Sequence, residues 1–248
     1  MHFLEPLSRC RIVLVNTTDP GNIGAAARAM KTMGLKNLYL VAPKSFPHPI
    51  ASIRASNALD ILAEIVVIDS LVEALQDCNL VFGTSTRARE LNWISLTARA
   101  AAEKIAMDPR QQVALVFGRE RCGLTNEELQ HCHFQITIPA NSNYNSLNLA
   151  AAVQIVAYEL RMAFLQQEKM GLEKNIVLAD VRQQEYFYQH LNKILDKVEF
   201  LKPSRSQQIM DRLRRLFGRA ELDITEMNIL QGILSAIEKK LVAKSKHE

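Results

Sequence analysis

The chain has 248 residues, of which 48% are hydrophobic and 23% are charged. This composition is ordinary for a globular protein and allows one large domain with an extension, so disulfide bonds are not needed to hold the core. The four cysteines are irregularly spaced and the N-terminal residues lack the apolar stretch of a secretory signal, which predicts a cytoplasmic protein. No apolar run reaches the roughly 18 to 20 uninterrupted residues of a membrane span, so we expect no membrane association. The stretch richest in apolar residues, about 147–165, is predicted to be a buried helix.

The net charge of +4 is unevenly distributed. Residues 1–180 carry 17 basic and 17 acidic side chains, whereas residues 181–248 carry 13 basic and 9 acidic side chains. The positive surplus therefore lies in the last quarter of the chain, where it favours a polyanionic partner. The alternative is a solvated helical surface rich in lysine and arginine.

Short apolar runs alternate with helical patterns along the first two thirds of the chain. We predict strands at Arg11 to Val15, Leu38 to Val41, Ile65 to Ile68, Leu80 to Phe82, Val113 to Phe117 and Phe134 to Ile138. We predict helices at Asn22 to Met33, Ile50 to Leu62, Leu71 to Gln76, Ser95 to Met107, Thr125 to His131 and Ser146 to Gln166. This alternation predicts an α/β fold with a Rossmann-like parallel sheet.

The remainder of the chain is predicted to be a small all-α extension. We divide the chain into residues 1–166, a polar linker at 167–180, and helices at 181–248. One helix is expected to begin with Ser204 as its cap and to end near Gly218. One of its faces is apolar, and another carries an arginine stripe composed of Arg205, Arg212, Arg215 and Arg219. The last helix has apolar residues at core spacing, namely Leu230, Ile233, Leu234, Ile237 and Leu241.

Ligand sites in open parallel sheets lie at the carboxyl ends of the strands, so the loops there are the candidate site. Four of these loops are rich in glycine, hydroxyl and amide residues, and they cover residues 17–28, 83–89, 118–124 and 139–149. Each loop alone is also compatible with ordinary turn and capping chemistry. The chain lacks the glycine fingerprints of dinucleotide and P-loop sites and the motif of a nucleophile elbow. A zinc site at His131-Cys132-His133 is disfavoured, because adjacent strand residues point to opposite faces, and we expect no metal.

Three motifs within these loops resemble those of a known family. They are Asn22-x-Gly24-x-x-x-Arg28, Phe117-Gly118-x-Glu120-x-x-Gly123-Leu124 and Ser146-Leu147-Asn148 before an alanine-rich helix. In this order they resemble the SpoU (TrmH) branch of the SPOUT methyltransferases. The stretches Leu-Arg-Arg-Leu-Phe and Asn-Ile-Leu-x-Gly-Ile-Leu extend the resemblance through the C-terminal part, toward bacterial tRNA (cytidine/uridine-2'-O)-methyltransferases.

The resemblance implies an enzyme that methylates a ribose 2'-hydroxyl of tRNA with S-adenosylmethionine, at cytidine or uridine in the first nucleotide of the anticodon loop. It also implies a C-terminal trefoil knot in the first domain and a homodimer. Carried over to this sequence, the S-adenosylmethionine pocket consists of Thr84, Ser85, Thr86, Gly118, Ile138, Asn145, Ser146 and Leu147. The arginine stripe is expected to contact the tRNA backbone.

Three residues are the candidate catalytic group. Arg28 is the arginine of the first motif, and because guanidinium groups stay protonated near neutral pH, we assign it to phosphate binding and to stabilising the developing alkoxide rather than to proton removal. Asn22 is expected to position the substrate. Glu120 is expected to anchor its loop or Arg28, and for this residue a structural role is as well supported as a functional one.

Two other classes of protein remain as alternatives. A non-catalytic RNA-binding module on the same fold would bind tRNA without needing a cofactor pocket. A DNA-binding regulator with a helix-turn-helix at 203–241 would need side chains suited to base edges, and the asparagine and glutamine array of such a helix is not evident. Within the enzyme class, a different RNA site could be the target.

Overall fold

We analysed a computed structural model of the chain, which describes residues 6–85, 94–170, 177–202 and 205–244. Its strands are β1 Cys10–Val15, β2 Asn37–Val41, β3 Val66–Ile68, β4 Leu80–Thr84, β5 Ser95–Thr97, β6 Val113–Phe117 and β7 Phe134–Thr137. They form one sheet in the order β3-β2-β1-β6-β4-β7-β5, and every pairing is parallel. The predicted α/β class is therefore confirmed. Strands β1 and β6 are buried along their whole length, which explains why their sequences are apolar throughout.

Helices cover both faces of this sheet. They are α1 Pro20–Met33, α2 Pro49–Ala55, α3 Leu59–Ala63, α4 Leu71–Leu75, α5 Ala98–Ala106, α6 Asn126–Leu129, α7 Leu149–Met170, α8 Val181–Lys197, α9 Ser206–Gly218 and α10 Ile224–Lys244. Helices α1, α5 and α7 form the main core with one face of the sheet. Helices α4 and α6 and the first residue of α8, Val181, pack on the opposite face. A separate apolar cluster joins α8 to α10.

Two predicted helices in the first domain have different bounds in the structure. The predicted helix Ile50 to Leu62 is divided into α2 and α3, because Ser56 has a φ of 51° and interrupts the helical backbone. The predicted helix at Ser95 begins three residues later, since Ser95–Thr97 pairs with β7 as strand β5. The hydroxyl of Thr97 then accepts a hydrogen bond from the Ala100 amide and caps α5.

The long apolar helix also differs from its prediction. Helix α7 begins at Leu149 rather than Ser146, because the Asn148 side chain accepts hydrogen bonds from the Ala150 and Ala151 amides and forms the cap. It continues to Met170, so residues 167–170 of the predicted linker are helical. Among the described residues, its segment Leu149–Gln167 is long and apolar enough to cross a bilayer. Its core-facing residues, such as Val153 and Leu160, are buried against α1 and α5, in agreement with the prediction of a buried helix.

The C-terminal helices agree with the prediction in number and differ in detail. The expected cap Ser204 lies outside the described residues, and the N-cap position of α9 is Arg205, whose side chain makes no capping hydrogen bond. In α10, Leu234 is buried as predicted, but Ile233 and Ile237 are exposed, which corrects their core assignment. Met227, together with Leu234, is the part of α10 that is buried in the apolar cluster with α8.

Strand β7 has an unusual place in the sheet. It lies between β4 and β5, although these two strands precede it in the chain and are joined by fewer than a dozen residues. As a consequence, the carboxyl ends of β6, β4 and β7 are neighbours at one edge of the sheet. The loops that follow these three strands are therefore brought together.

Candidate active site

The three loops enclose a cleft of about 260 Å³ at the carboxyl ends of β4, β6 and β7. Most residues predicted for the cofactor pocket line this cleft, namely Thr84, Ser85, Gly118, Ile138, Asn145, Ser146 and Leu147. Thr86 lies outside the described residues. Apolar side chains including Ile136 and Leu149 form part of the wall. The cleft therefore combines polar groups with an apolar surface, as small-molecule sites commonly do.

Hydrogen bonds to backbone carbonyls fix the start of the loop after β4. The Thr84 hydroxyl donates to the Val116 carbonyl at 3.1 Å, and the Ser85 amide donates to the Ile136 carbonyl at 3.0 Å. The two bonds join this loop to β6 and β7. Its start is consequently part of the rigid sheet rather than a free surface segment.

The loop after β6 is a tight turn around Gly118. A Cβ atom on Gly118 would lie 2.1 Å from the Gly123 carbonyl carbon and 2.2 Å from the Leu124 amide nitrogen. The Gly123 amide closes the turn by donating to the Arg119 carbonyl at 2.8 Å, and Gly123 itself has a φ of 67°. Both glycines of this motif are therefore required by the backbone, one for space and one for conformation.

Arg119, which also lines the cleft, supports the same turn through its side chain. Its guanidinium donates two hydrogen bonds of 2.9 Å to the Glu128 carboxylate and one of 2.7 Å to the Asn16 side-chain oxygen. The hydrogen bond to Glu128 raises the pKa of Arg119. Glu128 also completes the capping box with Thr125 at the start of α6. The pair links the turn to the start of α6.

A chain of hydrogen bonds connects Asn148, Asn22 and Glu120. The Asn148 amide donates to the Asn22 side-chain oxygen at 2.8 Å, and the Asn22 amide donates to the Glu120 carboxylate at 3.0 Å. That carboxylate also accepts from the backbone of Thr18 and Asp19 and from the Thr18 hydroxyl. One network thus joins the loops after β1, β6 and β7, and Glu120 anchors the first of them.

This network also changes the acidity of Glu120. Partial burial raises the pKa of its carboxyl, but hydrogen bonds from Asn22 and from the amides of Glu120, Asp19 and Thr18 outweigh this effect and leave the pKa lowered.

Asn148 was not predicted as a site residue, although it ends the third motif. Its position directly before an alanine-rich helix is a capping signal that indicates an anchored side chain.

Arg28 lies apart from this network. It is an exposed residue of α1, and it is absent from the described residues that line the cleft.

The other residues of the first motif have structural roles. Gly24 allows α1 and α2 to pack closely, because a Cβ atom there would lie 2.0 Å from the Ala51 carbonyl oxygen of α2. At the start of α1, the Asp19 carboxylate accepts from the Gly21 amide at 2.8 Å. The Gly21 amide is therefore already paired and is not available to bind an anionic ligand.

The arginine stripe lies far along the chain, on α9 or at its ends. Arg205, Arg212 and Arg219 are exposed and Arg215 is partly buried. Arg214, which was not predicted, donates two hydrogen bonds to the Glu185 carboxylate of α8 at 2.5 and 2.9 Å. Sequence spacing could not reveal this pair, because its partner is 29 residues away on another helix.

The residues of the rejected zinc hypothesis have structural contacts. The His133 ring accepts a hydrogen bond from the Val81 amide at 3.0 Å through Nδ1, and its Nε2 atom lies 2.9 Å from the Gln184 side-chain oxygen. Burial raises the pKa of the neighbouring Cys132 thiol. Within the described part of the chain, no group of three or more histidine, cysteine or acidic side chains could hold a metal ion.

Comparison with known proteins identifies the family. The SpoU rRNA methylase family matches residues 9–158, and the C-terminal domain of tRNA methyltransferase TrmJ matches residues 182–247. The chain belongs to the SpoU rRNA methylase family. Within that family, a tRNA (cytidine/uridine/adenosine-2'-O-)-methyltransferase TrmJ from Pseudomonas aeruginosa is 49% identical over 244 residues, which cover 94% of this chain and 95% of that protein.

Two solved structures resemble the chain over most of its length. TrmJ from Z. mobilis has a TM-score of 0.80 at 34% identity and covers 92% of this chain and 98% of its own. A probable methylase family protein from Haemophilus influenzae has a TM-score of 0.65 at 47% identity, with coverages of 96% and 99%. The family resemblance of the three motifs is thereby confirmed, and it extends to the C-terminal helices.

Proposed function

We propose that this protein transfers a methyl group from S-adenosylmethionine to a ribose 2'-hydroxyl of tRNA, at cytidine or uridine in the first nucleotide of the anticodon loop. One observation carries the proposal. Three loops that are distant in the sequence form a single cleft, which is lined by the residues that the family motifs assign to the cofactor. The names of the related proteins support the tRNA substrate and the 2'-hydroxyl target.

The cleft fits such a cofactor chemically. The crowded backbone at Gly118 leaves no room for a side chain, so that main-chain groups of the turn can approach a ligand closely. Ile136, Ile138 and Leu149 offer an apolar surface to an adenine ring, while Thr84 and Ser85 lie at the polar end of a strand. S-adenosylmethionine supplies a methyl group on a positively charged sulfur.

Residues of α1 and of the loop after β6 would bind the RNA substrate and stabilise the reacting groups. Arg28 would bind a phosphate near the target and stabilise the negative charge that develops on the 2'-oxygen, with the proton passing to solvent or phosphate. Asn22 would position the loops through its bonds to Asn148 and Glu120. Glu120 would act mainly as an anchor, because its carboxylate already accepts hydrogen bonds from four donor groups.

We further infer a homodimer. The surface of α7 that faces away from the core exposes Tyr158 and Met162, which are 48% and 44% accessible. Exposed apolar side chains on a core helix suit an interface between two copies. The position of Arg28 outside the cleft of its own chain gives a second reason, since a partner subunit could supply this residue.

The proposal also covers the chain topology, the domain division and the cellular location of the protein. The insertion of β7 between β4 and β5 supports a trefoil knot near the end of the first domain. We retain the division into residues 1–166, 167–180 and 181–248, with the last part binding tRNA through the arginine stripe. A tRNA substrate and four free cysteines favour a cytoplasmic location.

The test is mass-spectrometric mapping of ribose methylation on tRNA incubated with the purified protein and S-adenosylmethionine. We expect one new 2'-O-methyl group in the anticodon loop, and calorimetry should detect cofactor binding near one site per chain. A well-folded protein that binds tRNA but neither S-adenosylmethionine nor its demethylated product would instead be an RNA-binding module. Methylation at another nucleotide would retain the enzyme class and overturn the assigned position.

A further inference from the structure

A second concave surface lies at the amino ends of β5 and β7, at the opposite end of the sheet from the cleft. It has a volume of about 310 Å³ and separates α9 from the first domain. We call it the arginine groove and define it by Ile94, Gln130, Arg212, Arg215, Leu216 and Arg219. The arginine stripe seen in the sequence therefore does not face open solvent along its whole length, because three of its members line a groove.

The arginine groove is strongly positive. Within the described part of the chain, no aspartate or glutamate lines it. Arg214 also reaches the groove, but its charge is paired with Glu185. Among the described residues, the guanidinium groups of Arg212 and Arg219 make no hydrogen bond or ion pair, and the Arg215 guanidinium makes one, from Nε to the Asp211 carbonyl at 3.4 Å. The groove thus retains three guanidinium groups that form no ion pair with a carboxylate of the described residues.

Apolar side chains lie beside these charges. Ile94 is 42% exposed on the first domain, and Leu216 is 44% exposed on α9. A paired RNA backbone presents phosphates and sugars to a protein and keeps its bases stacked inside the helix. An unpaired segment can place a base or ribose on an apolar surface while its phosphates contact arginines. The combination in this groove favours the unpaired segment.

We propose that the arginine groove binds an unpaired segment of the tRNA substrate, with phosphates at Arg212, Arg215 and Arg219 and a base or ribose against Ile94 and Leu216. The proposal rests on the proposed function and specifies which form of RNA the extension recognises. His133 and Ile138 directly flank β7, and the five residue steps from one to the other span about 17 Å. The bound nucleotide is consequently a different one from the nucleotide at the cleft of the same chain.

The experiment measures binding of the full-length protein to two probes, a single-stranded oligocytidylate and an RNA duplex with the same number of phosphates. We expect the single strand to bind at least several-fold more tightly. The double variant Arg212→Gln/Arg219→Gln should weaken its binding by on the order of tenfold and reduce the salt slope by about 1.4, or about 0.7 per phosphate contact. The matched control Lys239→Gln/Lys240→Gln removes two exposed charges from α10 and should have a smaller effect on both.

A second pair of variants tests the apolar part of the groove. Leu216→Gln should weaken single-strand binding by about fivefold without changing the salt slope, because it removes apolar contact area and no charge. Ile233→Gln, on the exposed face of α10, is the matched control and should leave the affinity unchanged. Equal affinity for the duplex, an unchanged affinity of Leu216→Gln, or an equal loss in the lysine control would overturn the proposal.

Failure of this proposal can be separated from failure of the proposed function. RNA binding is measured without S-adenosylmethionine, while cofactor affinity and tRNA methylation are measured on the same wild-type preparation. Thermal unfolding of each variant should match that of the wild type, which excludes a folding defect. Methylation of tRNA by a protein without single-strand preference would contradict the groove alone, whereas single-strand binding without methylation would contradict the enzyme alone.

Discussion

The two ends of the sheet use polar side chains in different ways. At the carboxyl end, Glu120 and Asn148 bind backbone amides and shape the loops around the cleft. At the amino end, Glu185 and Gln184 of α8 bind other side chains, Arg214 and His133, and hold the C-terminal helices against the first domain. The network at the cleft is thus anchored by residues of the three motifs, whereas the contact between the C-terminal helices and the first domain, here called the junction, depends on pairs of side chains that no motif connects.

The largest expected effect comes from crowding the cleft. Gly118→Val should abolish measurable cofactor binding, because a side chain at this position collides with the Gly123 and Leu124 backbone and breaks the turn. Isothermal calorimetry and chemical denaturation measure both consequences. Gly232→Ala is the matched control, since a Cβ atom in this helix meets nothing within 4 Å, and it should stabilise the protein by roughly 0.5–1 kcal/mol. Normal cofactor affinity of Gly118→Val would contradict the backbone view of the cleft.

A smaller effect is expected when the charge near the reaction is removed. Arg28→Ala should lower methyl transfer by on the order of a hundredfold and leave cofactor affinity unchanged, because the guanidinium is proposed to act only on the RNA side. Single-turnover kinetics with saturating tRNA measure the chemical step. Arg182→Ala removes another exposed arginine and should retain full activity. If Arg28→Ala instead unfolds at lower denaturant with a normal rate, the residue is structural.

The junction can be tested through its charged pair. Burial raises the pKa of Glu185, but hydrogen bonds and charges from His131 and Arg214 outweigh this and lower its pKa to about 2. Glu185→Gln should cost about 1–3 kcal/mol in the free energy of unfolding, because it leaves the partly buried Arg214 without its counter-charge. Asp60→Asn, which breaks an exposed pair with Lys31, should change urea denaturation very little. Equal losses of unfolding free energy in Glu185→Gln and Asp60→Asn would show that the Glu185–Arg214 pair stabilises the protein no more than an exposed ion pair does.

The smallest effect is a pH dependence of the same junction. Burial lowers the pKa of His133 below the 6.5 of a free histidine, although the hydrogen bond to Gln184 acts in the opposite direction. The unfolded chain therefore binds a proton more readily than the folded protein, so stability present above about pH 6.5 is lost as the pH falls through the folded pKa. Denaturation at several pH values should give a shallower decline in His133→Gln than in the wild type. An identical decline would exclude His133 as its source.

Prediction from sequence was most complete where local chemistry decides structure. The buried strands followed from apolar runs, and the residues that line the cleft are mostly those that the family resemblance implied. It failed where partners are distant. Ser95 joins a strand because β7 is beside it, Ile233 is exposed because no other described element buries it, and Arg214 is paired because Glu185 lies opposite. None of these partners lies within the window of residues that a periodic pattern describes.

The contacts with α8 also limit how the extension can be studied. Val181 packs in the second core cluster, and its amide donates to the Cys78 carbonyl at 2.8 Å. Truncation after Gln166 would remove these contacts together with the last turn of α7. Point variants of the arginine groove are therefore a cleaner test of RNA binding than a shortened chain.

The central position of β7 has a consequence for the order of folding. Its neighbours β4 and β5 are made earlier and have short connections, whereas β7 must enter between them after α5, β6 and α6 have been added to the chain. Pairings between distant segments are slow to form because chain entropy is lost before contacts are gained. Since β7 leads into a wall of the cleft, ligand-binding competence should appear late in refolding, after most of the helical signal has returned. The cleft is thus a kinetic reporter of the completed fold.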